Sequence, residues 1–215
     1  MRGQRTSRAA AAGMAIAVWL AVSATAVAGP QSATAPLDIS GGNPLAACPP
    51  DGFGINYPDA EVEPWVDVNP QDPGNIVAIY QQDRYSNGAA KGNVSSASVD
   101  GGRTWTQVAV PADTVCTGGQ FDRASDPWLS FSPNGTLHAM SLVTDSGPAG
   151  PAGDNGMVYN RSTTGGRSWE PPVILAMDTR TRSLHDKKQH HGRPQRLQLR
   201  VCGLGSPPAV AGRNK

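Results

Sequence analysis

The sequence predicts an all-β fold, an incomplete β-propeller of four-stranded antiparallel blades, with about two blades and the start of a third encoded. Three observations lead there. The string Ser98-Val-Asp100-Gly-Gly102-Arg-Thr104-Trp105 returns as Ser162-Thr-Thr164-Gly-Gly166-Arg-Ser168-Trp169, 64 residues later. The pair Pro64-Trp65 returns as Pro127-Trp128, 63 residues later. Finally, 25 glycines and 19 prolines in 215 residues punctuate many short segments, none of which has helical period. Recurrence at this interval marks stacked units, each unable to bury its apolar face alone. A single β-sandwich is the alternative all-β arrangement, but it leaves the joint return of both motifs unexplained.

In chain order, residues 1–28 are expected to be an export signal. Arg2, Arg5 and Arg8 precede the apolar stretch Ala9 to Val22, and Ala26-Val27-Ala28 supplies a small-residue cleavage site. The apolar run is shorter than the roughly 20 residues a membrane span needs. The reading is therefore of a secreted, extracellular protein with no membrane span. Residues 29–60, rich in Ser, Ala, Pro and Gly, read as a flexible leader. Export makes oxidised cysteines the expectation: Cys48 and Cys116 form a possible disulfide from the leader to the end of the first unit, leaving Cys202 over. Thiol catalysis is the rival, and no histidine recurs near either cysteine to support it.

Residues 61–189 hold the partial propeller. First strands are expected over 64–68 and 127–131, and second strands over 76–81 and 137–143 after Asn-Pro and Ser-Pro turns. Third strands cover 92–98 and 157–162, and fourth strands 106–110 and 172–176. The repeated string fills the turn between third and fourth strands, and its chemistry suits a turn. Asp100 and the hydroxyls of Ser98 and Thr104 accept amide hydrogens, Gly102 permits positive φ, and Trp105 anchors the turn on apolar surface. The second copy, Ser162, Thr164, Gly166, Ser168 and Trp169, has a threonine in place of the aspartate. Four short strands in about sixty residues make one propeller blade.

The two strings resemble the Asp-box, or bacterial neuraminidase repeat, of sialidases and of other β-propellers, and the resemblance extends over about Glu61 to Gln189. The first box matches in full; in the second, Thr164 stands where the family carries Asp, so weaker turn bonding is expected. The resemblance implies architecture first, because the box recurs in propellers of other activities. For function it implies an exo-α-sialidase type glycoside hydrolase acting on an extracellular glycan or glycoconjugate, with no cofactor and no metal. The alternative is a non-catalytic Asp-box propeller that binds a carbohydrate or a protein. A propeller glycosidase using paired aspartates on plant polysaccharide is a third reading. Sialidases grip the sugar carboxylate with arginines and use an Asp and a Tyr/Glu pair in catalysis. Their aromatic-Arg-Ile-Pro string is absent here: Phe53-Gly-Ile-Asn-Tyr-Pro58 is the nearest segment and lacks the arginine. No family catalytic residue carries over.

Candidate site residues therefore come from the repeat. Glu63, Asp126 and Asp186 stand before successive first strands, at steps of 63 and 60. A ring of carboxylates at strand entry suits acid–base chemistry, cation binding or bonds to sugar hydroxyls; pairing with Arg84, Arg123 or Arg182 is the structural alternative. Arg84 and Arg123 are candidate ligand contacts or braces between blades. Trp65 and Trp128 are expected in the core rather than as sugar platforms. Asn93, Asn134 and Asn160 match glycosylation acceptors.

Charge is uneven. Between Gly29 and Asp186 there are eight Lys and Arg against seventeen Asp and Glu, whereas from Lys187 onward there are seven basic residues and no acidic one. The basic end does not imply nucleic acid. Back-translated from His190 and read one base later, a consistent choice of codons spells ITADPNDSNYVYAVWDRL, which resembles the segment Val66 to Arg84. Its proline falls about one repeat beyond Pro70 and Pro133. Residues 190–215 are accordingly expected to be an out-of-frame, disordered tail, with a genuine basic tail as the alternative. An arc of two blades leaves strand edges open, so poor cover over Trp65, Val66 and Leu129 and marginal stability are expected.

Overall fold

The computed structural model describes residues 35–179 and 184–185. The expected export signal 1–28, Asp186 and the tail 190–215 lie outside the described residues. The described residues from Asp38 onward belong to one compact unit. No helix among the described residues is long and apolar enough to cross a membrane.

The molecule is all-β. Eight strands follow in order: β1 (Val62–Val68), β2 (Ile76–Arg84), β3 (Ala90–Ser98), β4 (Thr106–Ala109), β5 (Arg123–Phe131), β6 (Leu137–Gly147), β7 (Gly150–Ser162) and β8 (Val173–Asp178). A 3₁₀ turn, Val115–Thr117, is the one helical element among the described residues. All pairings are antiparallel, and together the strands form one open sheet. Within it, β1 to β4 make one meander and β5 to β8 a second, joined by the lone pair Ala90–Ala124. Every strand expected from sequence is present. The β6–β7 hairpin runs further than expected, because Gly147 and Gly150 pair across its tip and keep the Pro/Gly-rich segment in the ladder.

Alternation along β2 and β3 explains how the two meanders meet. Val77 and Ile79, paired with Ala97 and Ser95, point to one face, and Ala78 and Tyr80, paired with Ser96 and Val94, to the other. The first set packs with Val110, Leu129, Phe131, Leu137 and Ala139 into the main core, which lies between the meanders. Leu129 was expected to be poorly covered and is fully buried, since β5 lays it against β2 of the preceding unit. Trp65 and Val66 do remain exposed, at 39% and 58%. Polar bonds cross the same seam: Asn93 Nδ2 donates to Ser141 Oγ at 2.9 Å, Asn160 Nδ2 to Pro111 O at 3.1 Å, and Asn75 Nδ2 to Gly165 O at 3.0 Å. Asn93 and Asn160 are buried in strands and cannot present a glycan from the folded state, whereas Asn134 is exposed in its turn.

The second face of the first meander is covered by residues 38–60, contacts that the reading of a flexible leader did not anticipate. Leu45 packs on Tyr80 and Val94, with Cys116 and Ala109 alongside. The Ile39 carbonyl accepts from Ser96 Oγ and Gln107 Nε2, each at 2.8 Å. Cys48 and Cys116 are joined in a disulfide with Cα atoms 5.6 Å apart. Closing a loop of 68 residues removes unfolded-state entropy worth about 4 kcal/mol in the chain-entropy treatment. Asp83, buried at the end of β2 with φ 61°, ties the segment down as well. Its carboxylate accepts from Asn43 Nδ2 at 2.7 Å and from the Asp59 amide at 2.9 Å, and pairs with the buried Lys91 at 2.7 Å. Burial alone would raise the Asp83 pKa, but the bonds from Lys91, Asp59 and Gln82 hold it below the ordinary carboxylate value.

Candidate functional site

The two repeated turns share their backbone geometry and their serine bond. Gly101 and Gly102 have φ of 75° and 86°, and Gly165 and Gly166 have 68° and 83°, left-handed values that disfavour any side chain. Ser98 Oγ accepts from the Gly102 amide at 2.9 Å, as Ser162 Oγ does from Gly166 at 3.0 Å. Asp100 then collects the amides of Arg103 and Thr104, each at 2.9 Å, and the Thr104 hydroxyl at 2.6 Å. Bonds from Thr104 and Ser98 hold its carboxyl far below the usual carboxylate range. Thr164 takes only one amide, that of Ser168 at 3.0 Å, and exchanges a hydroxyl bond with the Ser168 side chain at 2.8 Å. A hydroxyl has fewer acceptor sites than a carboxylate, which accounts for the thinner turn.

The two tryptophans that follow differ in partner. Trp169 crosses to the first meander, packing on the main core while its Nε1 donates to Ser95 Oγ at 3.1 Å. Trp105 Nε1 instead donates to Gly102 O of its own turn at 3.0 Å. Trp169 thus ties the second meander to the first, and Trp105 closes its own turn.

Glu63 and Asp126 occupy equivalent places. Each precedes a proline, each has a left-handed backbone, with φ of 52° and 45°, and each lies at a register shift in its strand, between Val62 and Trp65 and between Ser125 and Trp128. A bulge of this kind re-aims a side chain out of the alternating pattern. Glu63 is exposed and Asp126 half-buried. Glu63 Oε2 accepts from Gln81 Nε2 at 2.7 Å, and Asp126 Oδ1 from Ser125 Oγ at 2.8 Å. Two residues beyond them, Trp65 and Trp128 stack on one another, with ring centroids 3.6 Å apart and planes at 24°. This pair was expected in the core; Trp65 keeps 39% of its surface exposed, and Trp128 is half-buried.

The arginines divide. Arg84 is half-buried and reaches Gln81 Oε1 with Nη1 at 3.4 Å, so the fully buried Gln81 amide links a guanidinium on one side with the Glu63 carboxylate on the other. Arg123, a ligand-contact candidate on sequence, is a brace. It is fully buried, and all five of its N–H groups are used inside the protein: on both Asp51 oxygens, Asn87 Oδ1, Gly88 O and Phe53 O. Its guanidinium also lies 3.8 Å above the Tyr85 ring centroid. Pairing with a strand-entry carboxylate was the structural alternative for it on sequence; the ion-pair partner it has is Asp51, in the segment that reads as leader.

Two further residues carry unusual environments that sequence reasoning did not single out. Asp113, fully buried, accepts from the Asn93 amide at 2.9 Å and Thr117 Oγ1 at 2.8 Å, and desolvation outweighs these bonds to push its pKa up to about 7. His138, buried on β6, links Ser132 Oγ at 2.7 Å to Tyr159 Oη at 2.5 Å. Neither has a sequence signal, because each is defined by burial. A cleft of about 480 Å³, lined by Cys48, Pro50, Gly54, Asn56 and Lys91 among others, opens along the covering segment away from the strand-entry carboxylates. Lys91 at its wall is already paired with Asp83. Among the described residues no group of three or more His, Cys, Asp or Glu is placed to hold a metal ion.

Comparison with known proteins finds structural similarity alone. No family model matches the chain, and no curated protein matches it in sequence. Among solved structures, a protein of unknown function from Dyadobacter fermentans is similar over 56% of this chain and 38% of its own, at 22% identity and a TM-score of 0.40. The Hadza microbial sialidase Hz136 is similar over 58% of this chain and 27% of its own, at 20% identity and a TM-score of 0.43. The match spans less than half the length of either structure, and the similarity to a sialidase is distant.

Proposed function

We propose that this chain is the opening part of a secreted, sialidase-like Asp-box propeller that acts on extracellular glycans, its two meanders being the first two blades. The observation that carries the reading is the equivalence of Glu63 and Asp126: two carboxylates, each re-aimed by a left-handed bulge before a proline, at the entry of successive first strands. Support for the blade arrangement comes from the two turns of matching geometry and from Trp169, which docks one meander onto the other. The disulfide between Cys48 and Cys116 accords with an oxidising compartment.

In the catalytic form of this reading, a carboxylate at the mouth acts as general acid or base on a terminal glycosidic bond, and the remaining catalytic groups come from further blades encoded in the shifted frame after Gln189. The two blades described here bind glycan without hydrolysing it. The test is to restore the shifted frame and assay the longer protein on a fluorogenic sialoside. Hydrolysis that falls at least tenfold in Asp126→Asn supports an enzyme. A shifted frame that closes at once, or a longer folded protein with no glycosidase activity, favours the non-catalytic binder, a reading that the internal use of Arg123 also favours.

A further inference from the structure

We propose that Val66, Val68, Ile76 and Trp105 of the first meander form a self-association surface, covered by the same four residues of a second copy of this chain about a two-fold axis. This surface is independent of the glycan reading above.

The repeat identifies these residues as core positions. In the second meander Leu129 pairs with Ala139 and Phe131 with Leu137; in the first, at the same distance after Pro-Trp, Val66 pairs with Ala78 and Val68 with Ile76. Residues directly opposed in an antiparallel pair share a face. Val66, Val68, Ile76 and Ala78 therefore hold the places of Leu129, Phe131, Leu137 and Ala139, which lie in the main core with Trp169 packed against them. In the first meander the same places are open. Val66 and Val68 are 58% and 45% exposed, and Ile76 and Trp105 are half-buried. The turn glycines differ accordingly. A side-chain carbon at Gly166 would lie 2.8 Å from Val77 of the preceding unit, whereas one at Gly102 would meet Trp105 and Ile76 of its own unit, at 3.7 and 3.8 Å.

The rest of this face is built as the seam between the meanders is. Ser96 Oγ donates to Ile39 O at 2.8 Å; at the equivalent place, two residues before the turn serine, Asn160 Nδ2 donates to Pro111 O at 3.1 Å. Leu45 packs with Val94, and Phe121 with Val158, each valine four residues before that serine. Residues 38–60 thus stand before the first meander as the segment from Pro111 to Phe121 stands before the second, and the disulfide joins the two. Over Leu129 and Phe131 the sheet of the first meander completes the cover. Over Val66 and Val68 none of the described residues does.

A second copy has two surfaces that fit such a place. One is the second meander's counterpart of Val77, Ile79 and Ser95, formed by His138, Met140 and Tyr159, and all three are already buried. The other is the open strip itself. An exposed run of core positions meets its own kind in a two-fold contact, the commonest symmetry of self-association. A strip of a few residues makes a small interface, so the dimer is expected to be weak.

Sedimentation velocity of the purified chain over roughly 1–100 µM tests this, with Cys202→Ser in every sample so that the third cysteine cannot link two copies. The expected result is a reversible equilibrium of monomer and dimer. Val66→Glu and Val68→Glu each raise the dissociation constant roughly tenfold or more, because a two-fold axis sets the two new charges against each other. Ile55→Glu and Ile174→Glu, at apolar residues exposed outside the strip, leave it unchanged. Thermal unfolding of each variant separates lost association from lost fold, and if Val66→Glu does not fold, Val68→Glu decides. A monomer at every concentration overturns the inference and leaves the strip to a further unit of a longer chain. A dimer that survives both strip variants, or a trimer or larger ring, overturns it by placing the contact elsewhere.

Discussion

At the scale of single residues, the two copies of the turn form an internal experiment. Asp100 satisfies two amides and a hydroxyl where Thr164 satisfies one amide. Thr164→Asp is therefore expected to complete the second turn and raise the melting temperature by a few degrees, read by calorimetry; an unchanged or lower value would show that the second turn does not limit stability. Asp113 is the residue with a pH consequence. Its folded pKa, about 7, lies above the ordinary 3.8 because it is buried. The folded state thus keeps its proton to higher pH than the unfolded chain does. The stability from this group is fully present below about pH 4 and is lost as pH rises through about 7. In Asp113→Asn the amide keeps the Asn93 bond and donates toward Thr117 Oγ1, whose hydroxyl has the Thr114 carbonyl 3.1 Å away as a second acceptor. The variant should lose less stability than the parent between about pH 5 and 8. Parallel unfolding curves for the two proteins across that range would contradict the assignment.

At the scale of elements, the tryptophan after each turn decides how much the turn matters. Trp169 spans two meanders and Trp105 only its own. Trp169→Ala should cost about 3–5 kcal/mol, as truncation of a large packed side chain does, and Trp105→Ala clearly less. Urea unfolding of the two variants checks the order, and equal costs would remove the distinction. The strands were legible because period-two alternation and turn residues are local signals, repeated here at a fixed interval. The cover given by residues 38–60 was not, because its anchors, Leu45, Asn43, Asp51 and Asp59, reach partners on the sheet 24 to 72 residues away from a stretch whose composition resembles a linker. The role of Arg123 was hidden for the same reason. The bulges at Glu63 and Asp126 were half legible: their recurrence stands in the sequence, but a left-handed residue before proline runs against local preference, and only the fold shows the positive φ at both positions and the stack of the two tryptophans that follow them.

At the scale of the whole molecule, the sheet is closed on one side and open on the other. Residues 38–60 cover the first meander, while Val66 and Val68 on β1 and Val173, Ile174 and Met177 on β8 remain exposed. Apolar strands left open in this way favour association over a stable monomer. The repeat, the turns and the shared core all depend on one arrangement, in which the second unit lays its tryptophan into the face of the first. Nuclear Overhauser contacts from the Trp169 indole N–H measure that arrangement directly. Cross-peaks to the methyl groups of Val77 and Ala97 and to Ser95 are expected; an indole N–H that sees only protons of residues 160–176 would contradict the packing of one unit on the next.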